Sequence, residues 1–548
     1  MRSLVLAALI AAQNPVMAQT RAELTRFEET SRYEEVRAFL DALVPTGRVR
    51  VESFGRSEEG RELPVAIIGS PPAAARPPRA TSVPVVLVLA NIHAGEVEGK
   101  EASLHLMRRM VSGDLQPLLG QAAWLFAPIY NADGNERISL ENRVEQYGPI
   151  GGVGTRVNAN GLDLNRDFMK LDSAEGRALA ALLARWDPDV VVDLHTTNGS
   201  YHGYHLTYAP SLNPNTDPAL IAFARERLLP AVRQAMTSRH ALRTYSYGNF
   251  ATTTAMDAEL LEFGATVSGV GAASSTGAAS SGGAGTGDRV WRTFDHRPRF
   301  GTTYVGLRNR IAILSEAYSY LDFAGRVRVT EAFVEEIMRY VAGNAADITR
   351  LTGQADAATV AGLTEQGVSF ALAPSAPAEI LVGAVEKKTN PRSGREMIAM
   401  IEQRAVPTAM QEFGAFAVTQ TRRVPSAYVV PARADNVHRT IAERLRSHGI
   451  AVRETTVPSP QDVDRFIVNA VQRAERPFQK RQETRVTGTW ERATVMLPPG
   501  SLVVSTQQPL GRLVFYLLEP ESDDGLGTWD ILGPAVTAGT AHPVLKAR

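Results

Sequence analysis

Three residues with the chemistry of metal ligands follow two apolar runs of the chain. His93 and Glu96, with two residues between them, come after the run at residues 83–90, and His195 follows a second run at residues 189–194. Such runs predict buried strands, and ligands bind beyond the carboxyl ends of strands in open α/β sheets. Two imidazoles and one carboxylate are a ligand set of catalytic zinc, which keeps a fourth position for water. The pattern therefore predicts a mononuclear zinc hydrolase with one ion per chain.

The composition restricts both the metal ligands and the partners. The 548 residues contain no cysteine, so thiolate zinc sites, disulfides and thiol catalysis are excluded. A metal here has only His, Asp and Glu side chains to bind it. Lys plus Arg and Asp plus Glu both number 58, so no basic field indicates nucleic acid or an acidic membrane as a partner. A chain of this length predicts two or three domains.

The first residues have the pattern of a secretory signal. Arg2 precedes an apolar stretch at residues 4–12, and Val16-Met17-Ala18 has the small-residue character of a cleavage site. We therefore predict a signal peptide at residues 1–18 and a secreted or periplasmic mature protein. No later stretch of the sequence has the uninterrupted apolar length that a membrane span needs.

The order of the remaining elements predicts the scaffold that must position the ligands. Strand patterns alternate with helix patterns up to about residue 350, which is typical of an α/β fold. We expect a mostly parallel mixed sheet with helices on both faces, in a catalytic domain at residues 19–350. One strand of this domain, at residues 310–316, ends in the carboxylate Glu316.

The chain changes character after residue 352. Short β-rich runs and turns predict a C-terminal accessory region of the α+β class at residues 351–548. Residues 513–518 are expected to form a strand. Four acidic residues lack the spacing of a calcium loop, and we expect them in a solvated turn. These four are Glu519, Glu521, Asp523 and Asp524.

Several short motifs, taken together, resemble one enzyme family. In chain order they are Ser57-Glu58-Glu59-Gly60-Arg61, His93-Ala94-Gly95-Glu96, Asn131-Ala132-Asp133-Gly134, Gly161-Leu162-Asp163-Leu164-Asn165-Arg166 and the strand ending at His195. The set is similar to the zinc carboxypeptidase family, the carboxypeptidase A/B and E/N type, over roughly residues 25 to 345. The His-x-x-Glu pair alone would be a weak signal, whereas the combination is specific.

The resemblance implies a metal centre and its catalytic groups. His93, Glu96 and His195 would bind zinc, and Asp163 would orient His93. Glu316 would take the proton of the zinc-bound water and pass it to the leaving amine. One further residue, Arg156, matches the family's arginine that stabilises the oxyanion, and it lies in an Arg-x-Asn-Ala-x-Gly motif as in the E/N branch.

The resemblance also implies a substrate class. Asn165 and Arg166 match the pair that binds the terminal carboxylate, which predicts a peptide substrate with a free C terminus. The family tyrosine that closes over the substrate has no clean match. Tyr304 is our candidate, with Tyr245 and Tyr247 behind it. The sequence specifies neither the preferred C-terminal residue of the substrate nor an oligomeric state.

Three other functions stay open at this point. A zinc amidohydrolase of the aspartoacylase or succinylglutamate type uses a similar zinc triad on N-acyl amino acids, and Asn165 with Arg166 suits those substrates. A murein peptide endopeptidase fits the predicted compartment. A non-catalytic binding protein of the same fold is the alternative from another class, although no metal ligand is missing and Glu316 is present.

Overall fold

A sheet of apolar strands forms the centre of the structure, a computed structural model that describes residues 18–69, 83–197, 199–252 and 289–548. Two of its middle strands consist of the sequences VVLVLA and AWLFA, and every residue in them is buried. Continuous apolar strands of this kind are typical of sheets covered on both faces. The predicted signal peptide lies outside the described residues except for Ala18.

The strands are, in chain order, β1 (Val49–Arg56), β2 (Glu62–Ile68), β3 (Val85–Ala90), β4 (Ala123–Ala127), β5 (Val190–Thr197), β6 (Leu206–Pro210), β7 (Thr244–Ser246), β8 (Asn249–Thr252), β9 (Arg289–Arg292), β10 (Ile311–Tyr318), β11 (Glu365–Ala373), β12 (Ala378–Val382), β13 (Val385–Thr389), β14 (Glu396–Met400), β15 (Val406–Phe413), β16 (Ala415–Arg423), β17 (Ala427–Val430), β18 (Arg453–Glu454), β19 (Ser459–Arg473), β20 (Thr484–Leu497), β21 (Leu502–Ser505) and β22 (Leu545–Ala547).

The helices are α1 (Arg21–Leu24), α2 (Tyr33–Leu43), α3 (Glu98–Ser112), α4 (Ala132–Glu136), α5 (Ala174–Trp186), α6 (Pro218–Ala222), α7 (Leu229–His240), α8 (Gly301–Leu307), α9 (Phe323–Gly343), α10 (Ala345–Ala361), α11 (Val437–Ser447) and α12 (Gly511–Leu518). Within the described part of the chain, none of these helices has the length and apolar character of a membrane span.

The central sheet is mixed. Its described strands follow the order β1-β2-β4-β3-β5-β10-β6-β7. The central neighbours β4, β3, β5 and β10 run parallel to one another, whereas β6 runs antiparallel to β10. The carboxyl ends of β3, β5 and β10 therefore meet at one edge of the sheet. The predicted α/β class is confirmed.

The two faces of the sheet are buried in two cores. Alternate residues of β3 show this: Val86 and Val88 pack with residues of α2, α3 and α9, while Val85 and Leu87 pack with residues of α5 and of the C-terminal region. Burying one such side chain fully stabilises the fold by roughly 1.5–3 kcal/mol. The C-terminal region therefore contributes to the cover of one face.

The residues after 351 are β-rich, as predicted. They include a six-stranded sheet with the order β18-β21-β17-β22-β19-β20. Another strand of this region, β15, pairs in parallel with β9, and α10 extends from Ala345 to Ala361. The division of the chain at residues 350 and 351 stays a prediction.

Two predictions for the C-terminal region are wrong. Residues 513–518 lie in helix α12, not in a strand, and every residue of this helix is buried. The acidic residues do not lie in a solvated turn, because Glu519 is 3% exposed and Asp524 is fully buried. Glu519 accepts a hydrogen bond from Tyr428 at 2.7 Å, and Asp523 lies 2.8 Å from Nε2 of His296.

Candidate metal centre

The three predicted metal ligands lie together where β3 and β5 end. Ala90, the last residue of β3, pairs with Leu194 of β5, so the turn after β3 lies next to His195, which is still within β5. Asn91 turns the chain with a φ of 64°, a left-handed conformation that asparagine tolerates better than most residues. The backbone of Glu96 then donates to the carbonyl of His93 at 2.9 Å. This turn brings both side chains of the His-x-x-Glu pair over β5.

The ligand atoms converge on one point. Nδ1 of His93 lies 3.1 Å from Oε1 of Glu96, and Nδ1 of His195 lies 3.0 Å from Oε2 of the same carboxylate. The two Nδ1 atoms are 3.3 Å apart. All three residues are buried, and their ligand atoms lie within 4.8 Å of one another. This spacing is that of a mononuclear site.

The far side of each imidazole faces a carboxylate. Nε2 of His93 lies 3.0 Å from Oδ1 of Asp163, and Nε2 of His195 lies 3.0 Å from Oδ2 of Asp193. A carboxylate in this position keeps the proton on Nε2, and the lone pair is then on Nδ1. Two lone pairs and a carboxylate directed at one point repel each other unless a cation lies between them. The donor set therefore fits zinc.

The electrostatic field of the cluster favours a positive charge. Burial alone would raise the pKa of Glu96, but His93 and Arg143 outweigh it and hold that pKa well below the ordinary value. Burial alone would lower the pKa of His195, but Asp193 and Glu96 raise it well above the ordinary value. The surroundings therefore stabilise the ionised form of Glu96 and a positive charge at His195.

Glu316 lies beside this cluster, on β10. It is the register partner of His195 on β5 and of Thr207 on β6, so its side chain and that of His195 leave the same face of the sheet. Burial raises the pKa of Glu316 to about 8, with His195 opposing and Glu96 adding to the shift. A cation among the ligands would favour the ionised form of this carboxylate.

Two arginines contact the cluster, and the sequence predicted one of them. Nε of Arg156 donates to Oδ2 of Asp163 at 2.9 Å, and its NH1 lies 3.7 Å from Glu96. The side chain of Arg156 is 46% exposed, which leaves part of the guanidinium free for a substrate. Arg143 was not predicted: its NH1 lies 3.1 Å from Oε1 of Glu96. Gly95 makes room for it, since a Cβ there would lie 2.7 Å from Cδ of Arg143.

Asn165 and Arg166 form a short 3-10 turn with Leu164, and Asp163 caps it. Oδ1 of Asp163 accepts from the backbone of Asn165 at 2.9 Å. The side chain of Asn165 is buried and accepts from the backbone of Gly301 at 2.9 Å. Arg166 lies over the ring of Phe300 at 4.0 Å, and burial lowers its pKa to about 10. The residue that orients His93 therefore also fixes the start of the Asn-Arg pair.

The structure does not bring Tyr304 to this cluster. Tyr304 is fully buried, and its hydroxyl contacts Nδ1 of His448 at 2.9 Å. Tyr247 is the tyrosine next to the cluster. Burial, and then the charge of Glu316, raise the pKa of Tyr247 to about 12. Asn249 donates to its hydroxyl at 3.2 Å.

Sequence reasoning missed Asp193 and Arg143, and it placed Tyr304 ahead of Tyr247 as the candidate tyrosine. A signal existed for Asp193, because residues two apart on a strand share a face and Asp193 precedes His195 by two. Arg143 lies in an irregular segment with a φ of 49°, and no local pattern connects it to Glu96. Tyr247 and Tyr304 differ only in their tertiary surroundings.

Comparison with known proteins agrees with this geometry. Residues 36–259 match the family described as zinc carboxypeptidase. Carboxypeptidase Z from Homo sapiens is 35% identical over 144 residues, which are 25% of this chain and 21% of that protein. Carboxypeptidase 2 from Trichophyton tonsurans is 22% identical over 518 residues, 90% of this chain and 81% of that protein. A metallo-carboxypeptidase structure from Burkholderia cenocepacia aligns over 56% of this chain and 69% of that chain, with a TM-score of 0.37 and 16% identity.

The structure combines a mixed α/β sheet with a His-Glu-His cluster that could hold a metal ion. Residues 36–259 match the model of the zinc carboxypeptidase family, which confirms the resemblance found in the sequence. The aligned part spans only about a fifth of the length of carboxypeptidase Z.

Proposed function

We propose that this chain is a zinc-dependent metallocarboxypeptidase that binds one zinc ion through His93, Glu96 and His195. The observation that carries the proposal is the convergence of two Nδ1 atoms and one carboxylate, with a carboxylate behind each imidazole. The match of residues 36–259 to the zinc carboxypeptidase family supports it. The reaction is hydrolysis of the C-terminal peptide bond.

Zinc bound here would lower the pKa of a water molecule toward about 7 and polarise the scissile carbonyl. Glu316 takes the proton of the attacking water and passes it to the leaving amine. Its register pairing with His195 supports this role. Arg156 donates to the oxyanion that forms on the carbonyl oxygen, and its half-exposed guanidinium beside Glu96 supports this assignment.

Asn165 and Arg166 bind the terminal carboxylate of the substrate. A guanidinium gives a carboxylate two parallel hydrogen bonds, and the ring of Phe300 under Arg166 limits its movement. Tyr247 replaces Tyr304 as the candidate for the tyrosine that faces the substrate, because Tyr304 is packed on His448, whereas Tyr247 lies near enough to Glu316 for the charge of Glu316 to raise its pKa.

The compartment and the domain division are part of the proposal. The signal-peptide pattern at residues 1–18 supports export to the periplasm or the medium. A catalytic domain at residues 19–350 and an accessory region at residues 351–548 stay predictions. The substrate is a peptide with a free C terminus.

Zinc analysis of variants tests the metal site. Purified wild-type protein should contain one zinc per chain, and His195→Ala should lose it because only two ligands remain. His240→Ala is the matched control, since His240 contacts Glu336 of α9 and not the ligand cluster, and it should leave the zinc content unchanged. Full zinc content in His195→Ala would reject the proposed site.

Peptides with free and amidated C termini test the reaction class. Amidation removes the carboxylate that Asn165 and Arg166 bind, so cleavage should be almost abolished. Equal cleavage of both peptides, with internal fragments released, would favour an endopeptidase instead. Turnover of N-acyl amino acids without any peptide cleavage would identify a zinc amidohydrolase.

A further inference from the structure

A hairpin of the C-terminal region reaches the metal centre. Between β19 and β20, Phe478 and Arg481 exchange two backbone hydrogen bonds at 2.8 and 2.9 Å, so Gln479 and Lys480 form a two-residue turn. Oε1 of Gln479 accepts a hydrogen bond from the backbone N–H of Asp163 at 2.8 Å. Asp163 is the carboxylate that lies 3.0 Å from Nε2 of His93.

The two turn residues have an unfavourable conformation for their type. Gln479 and Lys480 have φ values of 50° and 63°, as in a type I′ turn. Such turns prefer Asn-Gly, Asp-Gly or Gly-Gly, because a Cβ destabilises the left-handed conformation. Residues held in this region often lie at functional sites. The Lys480 side chain is exposed, whereas that of Gln479 contacts the segment that holds the metal ligand.

The residues on both sides of this turn contact the part of the chain before residue 350, Arg481 through Asp172 and Phe478 through Arg299. Arg481 forms a bidentate pair with Asp172, at 2.9 and 2.7 Å. The ring of Phe478 stacks on Trp529 with centroids 6.1 Å apart, and Arg299 lies over Trp529 at 4.4 Å. The turn is therefore held at a fixed position relative to Asp163.

We propose that Gln479 is a positioning residue for the metal centre, through which the C-terminal region tightens zinc binding. The side-chain oxygen of Gln479 fixes the backbone of Asp163. Asp163 in turn fixes the tautomer and orientation of His93, which binds the metal. The inference rests on the proposed zinc site and adds a residue from the C-terminal region to it. Partners of metal ligands of this kind change metal affinity by about 10- to 100-fold.

Zinc competition with a chelator of known affinity tests the proposal on the full-length protein. Gln479→Met keeps the length of the side chain and removes the acceptor, so the Kd for zinc should rise about tenfold. Gln479→Glu keeps an acceptor oxygen and should stay within about twofold of wild type. Lys480→Gly is the matched control. It places a glycine, which tolerates the left-handed conformation, at the other turn position and keeps the contact of Gln479 with Asp163, so the Kd should not change.

A double-mutant cycle tests the route through Asp163. In an Asp163→Asn background the orienting carboxylate is already lost, so Gln479→Met should weaken zinc binding by less than about twofold. An unchanged Kd in Gln479→Met, or the same loss in both backgrounds, would overturn the proposal. The melting temperatures of all variants show whether an effect comes from unfolding. A wild-type protein that binds zinc, with His195→Ala unable to, keeps the proposed function intact in either case.

Discussion

Two buried groups of charged side chains, one at the strand ends and one against the C-terminal region, differ in how their charges are balanced. At the strand ends, acceptors face one another: Glu96 lies 3.1 Å from Nδ1 of His93 and 3.0 Å from Nδ1 of His195. The second group, which we call the arginine network, pairs its carboxylates with guanidiniums. Its members are Asp295, Arg297, Arg299, Glu483 and Asp524.

Every carboxylate of the arginine network has a guanidinium partner that offsets its charge. Arg299 lies 2.6 Å from Glu483 and 2.7 Å from Asp524, and Arg297 binds Asp295. Buried charges need such partners because the loss of hydration costs several kcal/mol per ion. A network of this kind needs no ligand and stabilises the contact between two parts of the chain.

The strand-end cluster does not balance its charge in the same way. Arg143 contacts Glu96 and Arg156 contacts Asp163, whereas the described residues provide no guanidinium contact to Asp193 or Glu316. The carboxylates of this cluster therefore outnumber the guanidiniums that contact them, and a divalent cation would supply further positive charge. Carboxylates without a guanidinium partner, and not the density of charge, distinguish the candidate metal site from the arginine network.

Two buried histidines show the same contrast. Carboxylates surround His195 and raise its pKa well above the ordinary value in spite of burial. His448, between the catalytic part and α11, has an opposite environment. Burial and the guanidinium of Arg308 lower its pKa to about 3. A histidine can therefore be assigned to metal binding or to packing by the charge of its neighbours.

The largest expected effect is that of Glu316→Gln. The amide keeps the shape of the side chain and removes the base, so kcat should fall by about 10²–10⁴-fold, the range of a lost proton transfer. Zinc content should stay at one ion per chain, because Glu316 is not a ligand. Turnover of a peptide with a free C terminus and elemental analysis measure the two quantities.

Glu412→Gln is the matched control for this substitution. Glu412 is also a carboxylate whose pKa burial raises, but it contacts the hydroxyl of Tyr245 at 3.0 Å and not the ligand cluster. Its replacement should leave turnover nearly unchanged. A zinc-loaded Glu316→Gln enzyme with near-normal turnover would contradict the role of Glu316.

Removing Arg299 should have the next largest effect, on stability. Arg299→Leu leaves Glu483 and Asp524 buried without their partner, so the free energy of unfolding should fall by about 3–5 kcal/mol. Urea denaturation measures it. The control is Arg446→Leu, whose side chain is 51% exposed and pairs with Glu454, itself 48% exposed, and whose loss should cost at most about 1 kcal/mol. Equal losses in both variants would show that the arginine network contributes no more to the free energy of unfolding than an exposed ion pair.

The convergence of the candidate metal ligands could be predicted because the sequence signal is local. The apolar runs before His93, His195 and Glu316 are long enough to fix three strand ends, and parallel strands bring such ends to one edge of the sheet. The run from Gly161 to Arg166 has its own turn and cap. The order of these elements along the chain was sufficient to predict the α/β fold and the cluster.

The remaining errors come from contacts that are distant in sequence. Tyr304 and Tyr247 cannot be ranked without knowing that the first packs on His448. The apolar residues 513–518 fit a strand or a buried helix equally well, because periodicity disappears when all sides are buried. Glu519 looked solvated because Tyr428, its partner, lies 91 positions away. Gln479 gives no signal at all, since Asp163 is 316 positions distant.

The smallest effect is expected for His448, and it depends on pH. His448 is neutral in the folded protein: Nδ1 contacts the hydroxyl of Tyr304 at 2.9 Å, and Nε2 contacts the carbonyl of Met169 at 3.2 Å. In the unfolded chain a histidine binds a proton below pH about 6.5, but the folded protein does not bind one until pH about 3. Between these values the unfolded state binds more protons, so the free energy of unfolding decreases as the pH falls. The contribution is at most about 1.4 kcal/mol per pH unit.

His448→Gln should remove this dependence, because glutamine keeps a donor and an acceptor but does not titrate. The variant is expected to be less stable than wild type near neutral pH, where the hydrogen bonds of His448 are intact. The difference should shrink by about 2 kcal/mol between pH about 6.5 and about 5, as the unfolded wild-type chain gains its proton. Urea denaturation at several pH values gives the two slopes. If the slopes of variant and wild type are equal, His448 takes up a proton in the folded state as well. Burial and the guanidinium of Arg308 would then not keep His448 neutral, and the contrast with His195 would be wrong.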